Sequence, residues 1–343
     1  MKIAQIVGAR PQFVKLAPLS RLIRQKHEEI IIHSGQHYDS RMDEVFFRDM
    51  RIPHPDVNLN AGSKSQAPQT AIILEGVESA LLEHKPDLVI VYGDTNTTLA
   101  GALASAKLGL RTAHVEAGLR SFNRFMPEEI NRVVADHVSN ILLCPTATAM
   151  ENARREGLED KCHLVGDIMT DSLRMALELA SGTNGILKDL GLQNQAFSLL
   201  TLHRPYNVDD PASLHKILSG LDGLGLKIVF PVHPRTRRII EQTGRTKFRN
   251  IRLILPQSYL DFISLMQAAE MVLTDSGGIQ KEAYILGKPC VTLRSETEWT
   301  ETVASGWNLL LPVDSPSFPE AIAEFQVPRE RPDIFGSNVA SKI

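Results

Sequence analysis

One short segment of the chain combines a predicted strand, two adjacent glycines and a predicted helix. Residues 271–274 are apolar or β-branched and predict a buried strand, and residues 279–286 predict a helix. Gly277 and Gly278 allow a tight turn between them. Such a turn leaves backbone N–H groups unpaired at the positive end of the helix dipole. The segment is therefore a candidate phosphate site, although an ordinary βα turn has the same pattern.

Three polar side chains belong to the same segment. Asp275 and Ser276 are typical N-cap residues and predict helix capping. Glu282 lies one turn further on, where a carboxylate can accept a hydrogen bond from a ribose hydroxyl, as an acidic residue does in dinucleotide-binding folds. Together these residues favour a nucleotide as the ligand.

Charged residues also follow three predicted strands in the first half of the chain. They are Arg10 and Lys15 after the first strand, Asp94 after the third and Glu116 after the fourth. Ligands of parallel sheets bind beyond the carboxyl ends of the strands, so we expect these side chains to share one rim. A helix cap or a surface ion pair explains any one of them. Capping does not explain several on one rim.

A predicted helix in the first half adds further charged residues. Pro127 suits the first position of that helix, and Glu128 and Glu129 suit its first turn electrostatically. Arg132 follows on the same helix. Glu128 and Arg132 are added to the candidate set, which then contains carboxylates able to transfer protons.

The predicted strands of the second half end in a different kind of residue. His203 and Arg204 follow one strand, and His233 and Arg235 follow the next. These side chains, with the glycine turn, suit an anionic nucleotide. We therefore expect the second half to bind a nucleotide and the first half to carry out acid/base chemistry on the group attached to it.

Strand and helix patterns alternate along the whole chain, which predicts an α/β fold with parallel sheets. Expected strands lie at 2–7, 30–33, 87–92, 111–115, 198–202, 227–232, 251–255, 271–274 and 290–293, and expected helices include 11–25, 70–83 and 97–108. An amphipathic stretch and a polar run between residues 173 and 194 predict the link between two domains. We expect an N-terminal domain at 1–175, a C-terminal domain at 195–325, and a tail at 326–343 that returns toward the first domain.

Composition excludes several classes of protein. The 343 residues are 43% hydrophobic and 22% charged, with a net charge of −3, which is typical of a soluble globular protein and offers no basic surface for nucleic acid. No apolar run is long enough to span a membrane, and no signal peptide is indicated. The 3 cysteines are far apart and are expected to be buried, reduced fillers. We expect a cytoplasmic protein.

Known cofactor motifs are also missing from the sequence. No strand is followed by G-x-G-x-x-G, and neither G-x-x-x-x-G-K-[ST] nor G-x-S-x-G occurs. His37, His114, His203 and His233 have no second ligand at metal-binding spacing, so no metal site is expected and phosphate-facing or hydrogen-bonded histidines are favoured.

Five motifs, in order, resemble the non-hydrolysing UDP-N-acetylglucosamine 2-epimerase family over essentially the whole chain. They are G-A-R-P-Q-x-x-K, G-D-T-N-T-T, H-V-E-A-G-L-R, P-E-E-I-N-R and T-D-S-G-G-I-Q-K-E-A. The resemblance implies a GT-B architecture, with two Rossmann-like domains whose parallel sheets face each other across a cleft. It also implies elimination of UDP to a 2-acetamido glycal and re-addition of UDP after proton delivery to the other face of C2. The resemblance implies that no cofactor is needed. It also implies a homodimer.

The resemblance assigns roles to matching residues. The implied acid/base set is Asp94, Glu116 and Glu128, supported by Lys15 and Arg132. The implied UDP-binding set is Arg10, His203, Ser276, Gly277, Gly278 and Glu282, with His233, Arg235 and Trp299 as further substrate-binding candidates.

Trp299 is a departure from the family pattern. Many members have arginine in the corresponding T-E-R-P-E segment, whereas this chain has T-E-W-T-E, so a ring and one N–H donor replace a cationic fork. With P-V-H-P-R-T-R and G-K-P-C-V-T, this segment resembles the branch that acts on UDP-2,3-diacetamido-2,3-dideoxyglucuronic acid. The substrate is thus UDP-N-acetylglucosamine or that uronic acid.

Other functions remain open from the sequence. A hydrolysing epimerase or a GT-B glycosyltransferase would share the nucleotide turn but would need a water or an acceptor. A nucleotide-sugar-binding protein without catalysis is the third alternative. Three carboxylates near a diphosphate argue against it, because binding alone has no use for them.

Overall fold

The computed structural model describes residues 1–36, 40–181, 185–242 and 247–343. These residues form two compact units. The first contains Met1–Met175 together with Ile334–Ile343, and the second contains Ala176–Asp333. The last ten residues of the chain thus pack with the first unit: the Ala340 N–H donates to the Asp171 carboxylate over 2.7 Å.

The described strands, in chain order, are β1 (Lys2–Val7), β2 (Glu28–His33), β3 (Val57–Asn58), β4 (Leu88–Tyr92), β5 (Thr112–Val115), β6 (Ile141–Cys144), β7 (Cys162–Leu164), β8 (Ser198–Thr201), β9 (Ile228–Pro231), β10 (Ile251–Ile254), β11 (Met271–Thr274), β12 (Cys290–Thr292) and β13 (Asn308–Leu310). They form one sheet in each unit, with the order β3-β2-β1-β4-β5-β6-β7 in the first and β10-β9-β8-β11-β12-β13 in the second. Every recorded strand pair is parallel.

The helices are α1 (Arg10–Ile23), α2 (Ser40–Asp49), α3 (Gln66–His84), α4 (Asn96–Lys107), α5 (Pro127–Val138), α6 (Ala147–Arg155), α7 (Met169–Ala180), α8 (Gly185–Asp189), α9 (Pro205–Val208), α10 (Pro211–Gly223), α11 (Pro234–Gln242), α12 (Tyr259–Ala268), α13 (Gly277–Ile285), α14 (Thr300–Ala304), α15 (Phe318–Glu324) and α16 (Val339–Lys342). A single 3₁₀ turn is recorded at Glu159–Lys161. None of the helices formed by the described residues combines the length and apolarity that crossing a membrane needs.

The central strands are buried on both faces. Their buried residues are apolar except Gln5 of β1, whose side chain donates a hydrogen bond to Glu29. Five of the six residues of β1 are buried, as are four of the five residues of β4. A strand covered by helices on both faces needs apolar side chains at every position rather than at alternate ones. Ile6 and Val91 pack with Val77 of α3 and Ala100 of α4 in the core of the first unit.

The α/β prediction is confirmed, and each predicted strand is present to within about two residues at its ends. Four strands were not predicted from the sequence, namely β3, β6, β7 and β13. These strands have two to four residues each, and hydrophobic periodicity is weak over so few positions. Of the cysteines, Cys144 and Cys290 are buried as expected, whereas Cys162 is only partly buried.

Candidate active site

The ends of β4 and β5 bring two of the candidate carboxylates to one edge of the first sheet. Tyr92 lies opposite Val115 in the parallel register, so the residues that follow them leave the sheet side by side. Gly93 and Glu116 both have left-handed backbones, with φ of 62° and 70°. A left-handed conformation is uncommon for a residue with a side chain, and non-glycine residues in it are often functional. The Glu116 side chain is thereby aimed away from the strand.

Lys15 and Glu116 form a close ion pair at this edge. Lys15 Nζ lies 2.6 Å from Glu116 Oε1, and the two side chains are only 8% and 9% exposed. A Cβ at Gly93 would lie 3.1 Å from Lys15 Nζ, so the glycine leaves room for the ammonium group. The sequence placed these residues on one rim, and the structure brings them into contact.

Asp94 forms a second ion pair with α5. Arg132 donates through Nη2 to the Asp94 carboxylate and through Nη1 to Glu129 Oε2, the latter over 3.1 Å. Asn131 donates to the Asp94 backbone oxygen over 3.0 Å. Residues of α5 therefore hold both the backbone and the side chain of Asp94.

Glu129 orders the basic loop that precedes α5. Its carboxylate accepts hydrogen bonds from the Ser121 N–H, the Ser121 hydroxyl and the Phe122 N–H, at 2.8, 2.9 and 3.0 Å. Glu128, the preceding residue, is exposed instead. The first turn of α5 thus has one carboxylate for structure and one that faces solvent.

Arg10 and Glu128 take no part in the Lys15–Glu116 and Asp94–Arg132 ion pairs. Arg10 begins α1, is exposed, and its guanidinium carbon lies 5.9 Å from the centre of the Phe46 ring. A guanidinium in this position is fixed by the aromatic face yet open to an anion.

In the second unit, the buried Asp275 side chain organises the loop after β8. Its carboxylate accepts hydrogen bonds from the His203 and Arg204 N–H groups at 3.0 Å each, and from Asn207 Nδ2 at 3.0 Å. The His203 Nδ1 atom lies 2.9 Å from Asp275 Oδ1, and the His203 side chain is 53% exposed. Asp275 therefore fixes His203 and leaves its ring accessible.

The predicted capping by Asp275 and Ser276 is wrong for the side chains. Ser276 is the N-cap residue of α13 by its backbone, but its side chain makes no cap hydrogen bond. Asp275 serves the neighbouring loop because β8 and β11 are adjacent in the sheet, which places both strand ends together. The first N–H groups of α13 are consequently not satisfied by the Ser276 side chain, which suits a site for an external anion.

The pKa of Asp275 lies below its ordinary value of 3.8. Burial alone would raise it, but the hydrogen bonds and charge of His203 and the donors of Asn207 and Arg204 favour the charged form more strongly. His203 is thus held by Asp275 with its ring exposed, close to the start of α13, and this position suits phosphate binding.

The two glycines of the turn differ in their surroundings. A Cβ at Gly277 would lie 2.1 Å from Glu298 Oε1, and Glu298 is itself paired with Arg294 over 3.2 Å. A Cβ at Gly278 would meet no atom within 4 Å. The turn is therefore covered by a carboxylate on one side and open to solvent on the other.

The remaining candidates of the second unit differ in exposure. Glu282 is buried, and Tyr259 Oη donates to its Oε1 over 3.3 Å. His233 and Arg235 are exposed, and Arg235 pairs with Asp209 over 2.7 Å. Trp299 is 4% exposed, and Lys281 Nζ lies 4.2 Å from the centre of its ring. Its ring thus packs on a cation within this unit.

Among the described residues no group of three or more His, Cys, Asp or Glu side chains is placed to hold a metal ion. His114 is fully buried and hydrogen-bonded at both ring nitrogens. His37 lies outside the described residues.

The first unit thus offers carboxylates held beside cations, and the second offers an open helix N-terminus beside a histidine. The former can exchange protons with a bound molecule, and the latter can bind phosphate. Comparison with known proteins identifies the family. A family model described as UDP-N-acetylglucosamine 2-epimerase matches residues 21–342. The chain belongs to this family.

Relatives of this epimerase family match the chain over nearly its whole length. A protein of Methanococcus maripaludis named UDP-N-acetylglucosamine 2-epimerase homolog is 52% identical, over 95% of this chain and 92% of its own. The UDP-2,3-diacetamido-2,3-dideoxy-D-glucuronate 2-epimerase of Pseudomonas aeruginosa is 47% identical, over 91% of this chain and 88% of its own. The family expected from the five motifs is confirmed.

Solved epimerase structures confirm the expected GT-B fold. The Methanocaldococcus jannaschii UDP-GlcNAc 2-epimerase in complex with UDP-GlcNAc and UDP matches with a TM-score of 0.90 and 40% identity, over 100% of this chain and 98% of its own. The Neisseria meningitidis enzyme bound to UDP-GlcNAc matches with a TM-score of 0.88 and 30% identity, over 100% and 98% of the chains.

Several residues that shape the site of this family member were not predicted from the sequence. They are Glu129, which binds the loop before α5, Asn131, which donates a hydrogen bond to the Asp94 backbone oxygen, Asp275, which binds His203, and Tyr259, which donates to Glu282. A sequence signal existed for Glu129, since it lies three residues before Arg132 and so shares its helix face. The contact between Asp275 and His203 depends on strand order, which sequence spacing does not give.

Proposed function

We propose that the protein catalyses the cofactor-independent 2-epimerisation of a UDP-2-acetamido sugar by elimination and re-addition of UDP. The observation that carries the proposal is the Lys15–Glu116 pair, a largely buried carboxylate with a lysine ammonium group at 2.6 Å. A carboxylate in this state can accept a proton. Membership of the epimerase family supports the proposal.

The chemistry requires that proton loss and diphosphate departure be coupled. The C2 proton of the sugar is not adjacent to a carbonyl, so its removal is aided when the electron pair of the C2–H bond forms the C1–C2 double bond and the C1–O bond to UDP breaks. The negative charge then accumulates on the diphosphate. Backbone N–H groups at the start of α13, together with His203, can stabilise that charge.

Each unit has its own role in this proposal. In the second unit, Ser276, Gly277 and Gly278 bind the diphosphate with His203, and Glu282 accepts a hydrogen bond from the ribose. Arg10 supplies a further cation, and His233, Arg235 and Trp299 belong to the wider substrate-binding set.

In the first unit, Asp94, Glu116 and Glu128 exchange protons with the sugar. Glu116 is the base that we assign first, because its pair with Lys15 is the less exposed of the two ion pairs: the Asp94 side chain is 32% exposed. Arg132 holds Asp94 in the same way that Lys15 holds Glu116. Returning the proton to the opposite face of C2, followed by UDP addition to C1, completes the inversion.

The proposed reaction is tested by incubating the purified protein with UDP-N-acetylglucosamine and following products by proton NMR. The expected result is a mixture of the two C2 epimers of the intact UDP-sugar. Accumulation of UDP with the free sugar would show a hydrolysing enzyme, and no reaction with either candidate substrate would refute the proposal.

Substrate choice is part of the same experiment. UDP-N-acetylglucosamine and UDP-2,3-diacetamido-2,3-dideoxyglucuronate are the two substrates to compare, because relatives named for each exceed 40% identity over 90% or more of this chain. The ratio of kcat/KM values for the two decides between them.

Three wider properties follow from the family resemblance and belong to this proposal. They are a cytoplasmic location, a homodimeric state and a role in supplying surface-polysaccharide precursors. Light scattering coupled to gel filtration tests the second, since a dimer has twice the chain mass of 38.0 kDa. A mass equal to one chain would refute it.

A further inference from the structure

Four titratable side chains of the first unit, three of them buried, form a hydrogen-bonded cluster. They are His114, Arg120, Asp136 and Glu156, and we call them the His114 cluster. His114 Nδ1 lies 2.7 Å from Asp136 Oδ1, and Asp136 Oδ2 lies 2.7 Å from Arg120 Nη1. Arg120 also donates through Nε and Nη2 to the two Glu156 oxygens, at 2.7 Å each. The side chains of His114 and Asp136 are fully buried.

Each ring nitrogen of His114 lies close to an oxygen atom. Its Nε2 atom lies 2.7 Å from the Gly93 carbonyl oxygen, which can only accept a hydrogen bond. Its Nδ1 atom faces Asp136, which also accepts hydrogen bonds from the Gly118 N–H at 3.1 Å and from Arg120. With these two donors Asp136 is held as a hydrogen-bond acceptor. Each ring nitrogen of His114 therefore faces an acceptor.

Asp136 is also paired with a cation in the interior. Its side chain and that of Arg120 are almost fully buried, and the two charged groups lie 2.7 Å apart. Burial raises the pKa of Asp136, but the hydrogen bonds and charges of His114 and Arg120 outweigh it, and that pKa lies below the ordinary value. The nearby Cys144 thiol has its pKa raised by burial and stays neutral.

The His114 cluster connects every segment that carries a candidate acid/base residue. Gly93, whose carbonyl accepts from His114, immediately precedes Asp94. Gly118, whose N–H donates to Asp136, follows Glu116 by two residues. Asp136 itself is on α5, the helix that carries Glu128 and Arg132. One histidine–carboxylate pair thus joins the β4 turn, the β5 turn and α5.

We infer that His114 is a positioning residue that donates a hydrogen bond from each ring nitrogen, to the Asp136 carboxylate and the Gly93 carbonyl, and so fixes the turns bearing Asp94 and Glu116 relative to α5. This inference rests on the proposed function for its catalytic consequence, because it takes those carboxylates as the acid/base set. A neutral imidazole can donate to one of the two acceptors but not both, and the two N–H groups of a glutamine sit on one nitrogen and cannot replace donors at both ring positions. Small displacements of reacting groups lower the rate about 100-fold, so loss of one of the two His114 hydrogen bonds should lower kcat.

The protonation state is tested by NMR on the full-length protein labelled with ¹⁵N-histidine. The His114 resonances are assigned by their loss in His114→Gln. We expect two ring N–H protons at pH 7, one on each ring nitrogen, because both nitrogens face acceptors. The shifts of a neutral tautomer at pH 7 would overturn the inference, and this measurement does not depend on enzymatic activity.

The positioning role is tested by steady-state kinetics on variants of the cluster. For His114→Gln and for Asp136→Asn we expect kcat to fall about 10- to 100-fold, as when the hydrogen-bond partners that orient a reacting side chain are removed, with KM changed less than threefold. The double variant is expected to be no worse than the poorer single one, because the two residues act as one unit.

Tyr92→Phe is the matched control for lost stability. Tyr92 is fully buried on β4 beside Gly93, and its hydroxyl donates to Gln5 rather than to the His114 cluster. We expect this variant to melt at a lower temperature with kcat within threefold of wild type. Equal losses of kcat in His114→Gln and Tyr92→Phe at equal melting temperature would overturn the positioning role. Absence of epimerase activity in the wild type would refute both the proposed function and this role, while the NMR result would still decide the charge.

Discussion

Substitution of Gly278 by alanine separates phosphate binding from stability. A Cβ at this position would touch nothing within 4 Å, and Gly278 is exposed in the first turn of α13. Gly→Ala at a compatible position reduces the entropy of the unfolded chain and stabilises by about 0.4–1 kcal/mol. Since the unfolding entropy grows with chain length, at about 2.1 cal/mol/K per residue, we expect a melting temperature that is unchanged or raised by about 0.5–1.5 °C for the 343 residues.

The same methyl group would stand where the proposed diphosphate approaches the helix N-terminus. Loss of one or two hydrogen bonds to a charged group costs about 1.5–3 kcal/mol, and each 1.4 kcal/mol is about tenfold in affinity. Gly278→Ala should therefore bind UDP about 10- to 100-fold more weakly than wild type, measured by isothermal titration calorimetry. The variant keeps every contact that the folded protein makes, so the loss is assigned to the ligand.

Gly277→Ala is the companion variant and should behave differently in stability. Its methyl group would lie 2.1 Å from Glu298 Oε1, and this flexible side chain must turn away from Arg294. Loss of one partly exposed ion pair costs about 1 kcal/mol or less. We expect weaker UDP binding here together with a slightly lower melting temperature. UDP affinity of Gly278→Ala within twofold of wild type would refute the assignment of the glycine turn to the diphosphate.

Three further substitutions test other parts of the site. Lys15→Met leaves the Glu116 carboxylate buried without its cation, so we expect the free energy of unfolding to fall by about 3 kcal/mol and kcat to fall at least 100-fold. Adding Glu116→Gln to the Lys15→Met variant should restore stability but not turnover. Full activity of Lys15→Met would exclude the pair from the mechanism. Asp275→Asn should weaken UDP binding about tenfold by releasing the loop of His203, and an unchanged affinity would show that the loop needs no anchor. Glu282→Gln should raise KM about tenfold with kcat unchanged, and a loss confined to kcat would contradict its assignment to the ribose.

Asp275 also predicts a pH dependence of stability. Its folded pKa is lower than the ordinary value of 3.8, so its contribution is fully present above that value and is lost as pH falls through the folded pKa. Melting temperatures measured between pH 5 and pH 3 should therefore fall less steeply in Asp275→Asn than in wild type. Parallel curves for the two proteins would contradict the ionisation that the geometry indicates.

The sequence was sufficient to predict which candidate residues follow the strands and so share one edge of each sheet. Strand-end positions are readable from apolar runs, and parallel sheets bind ligands beyond those ends. Asp94, Glu116 and Lys15 could be placed on one rim for this reason. Their pairing could not, because it depends on which strands are neighbours and on the left-handed backbone of Glu116.

Adjacent identical residues also limited the sequence analysis. Glu128 and Glu129 have the same chemistry at consecutive helix positions, yet one is exposed and the other binds the preceding loop. Helix rotation separates consecutive side chains by about 100°, so their environments are set by the packing of α5 rather than by residue type. Asp275 is a similar case, since an aspartate before a helix suits both a cap and a cross-strand anchor.

The proposed epimerisation requires reversible removal of the C2 proton by a carboxylate of the first unit. Solvent deuterium incorporation tests it directly: the protein is incubated in D₂O with each of the two UDP-sugars, and deuterium at C2 is followed by NMR and mass spectrometry. We predict deuterium at C2 of the epimeric product, with incorporation at least 100-fold slower in Glu116→Gln although that variant still binds UDP. Epimerisation without deuterium at C2, or an unchanged rate in Glu116→Gln, would contradict the account.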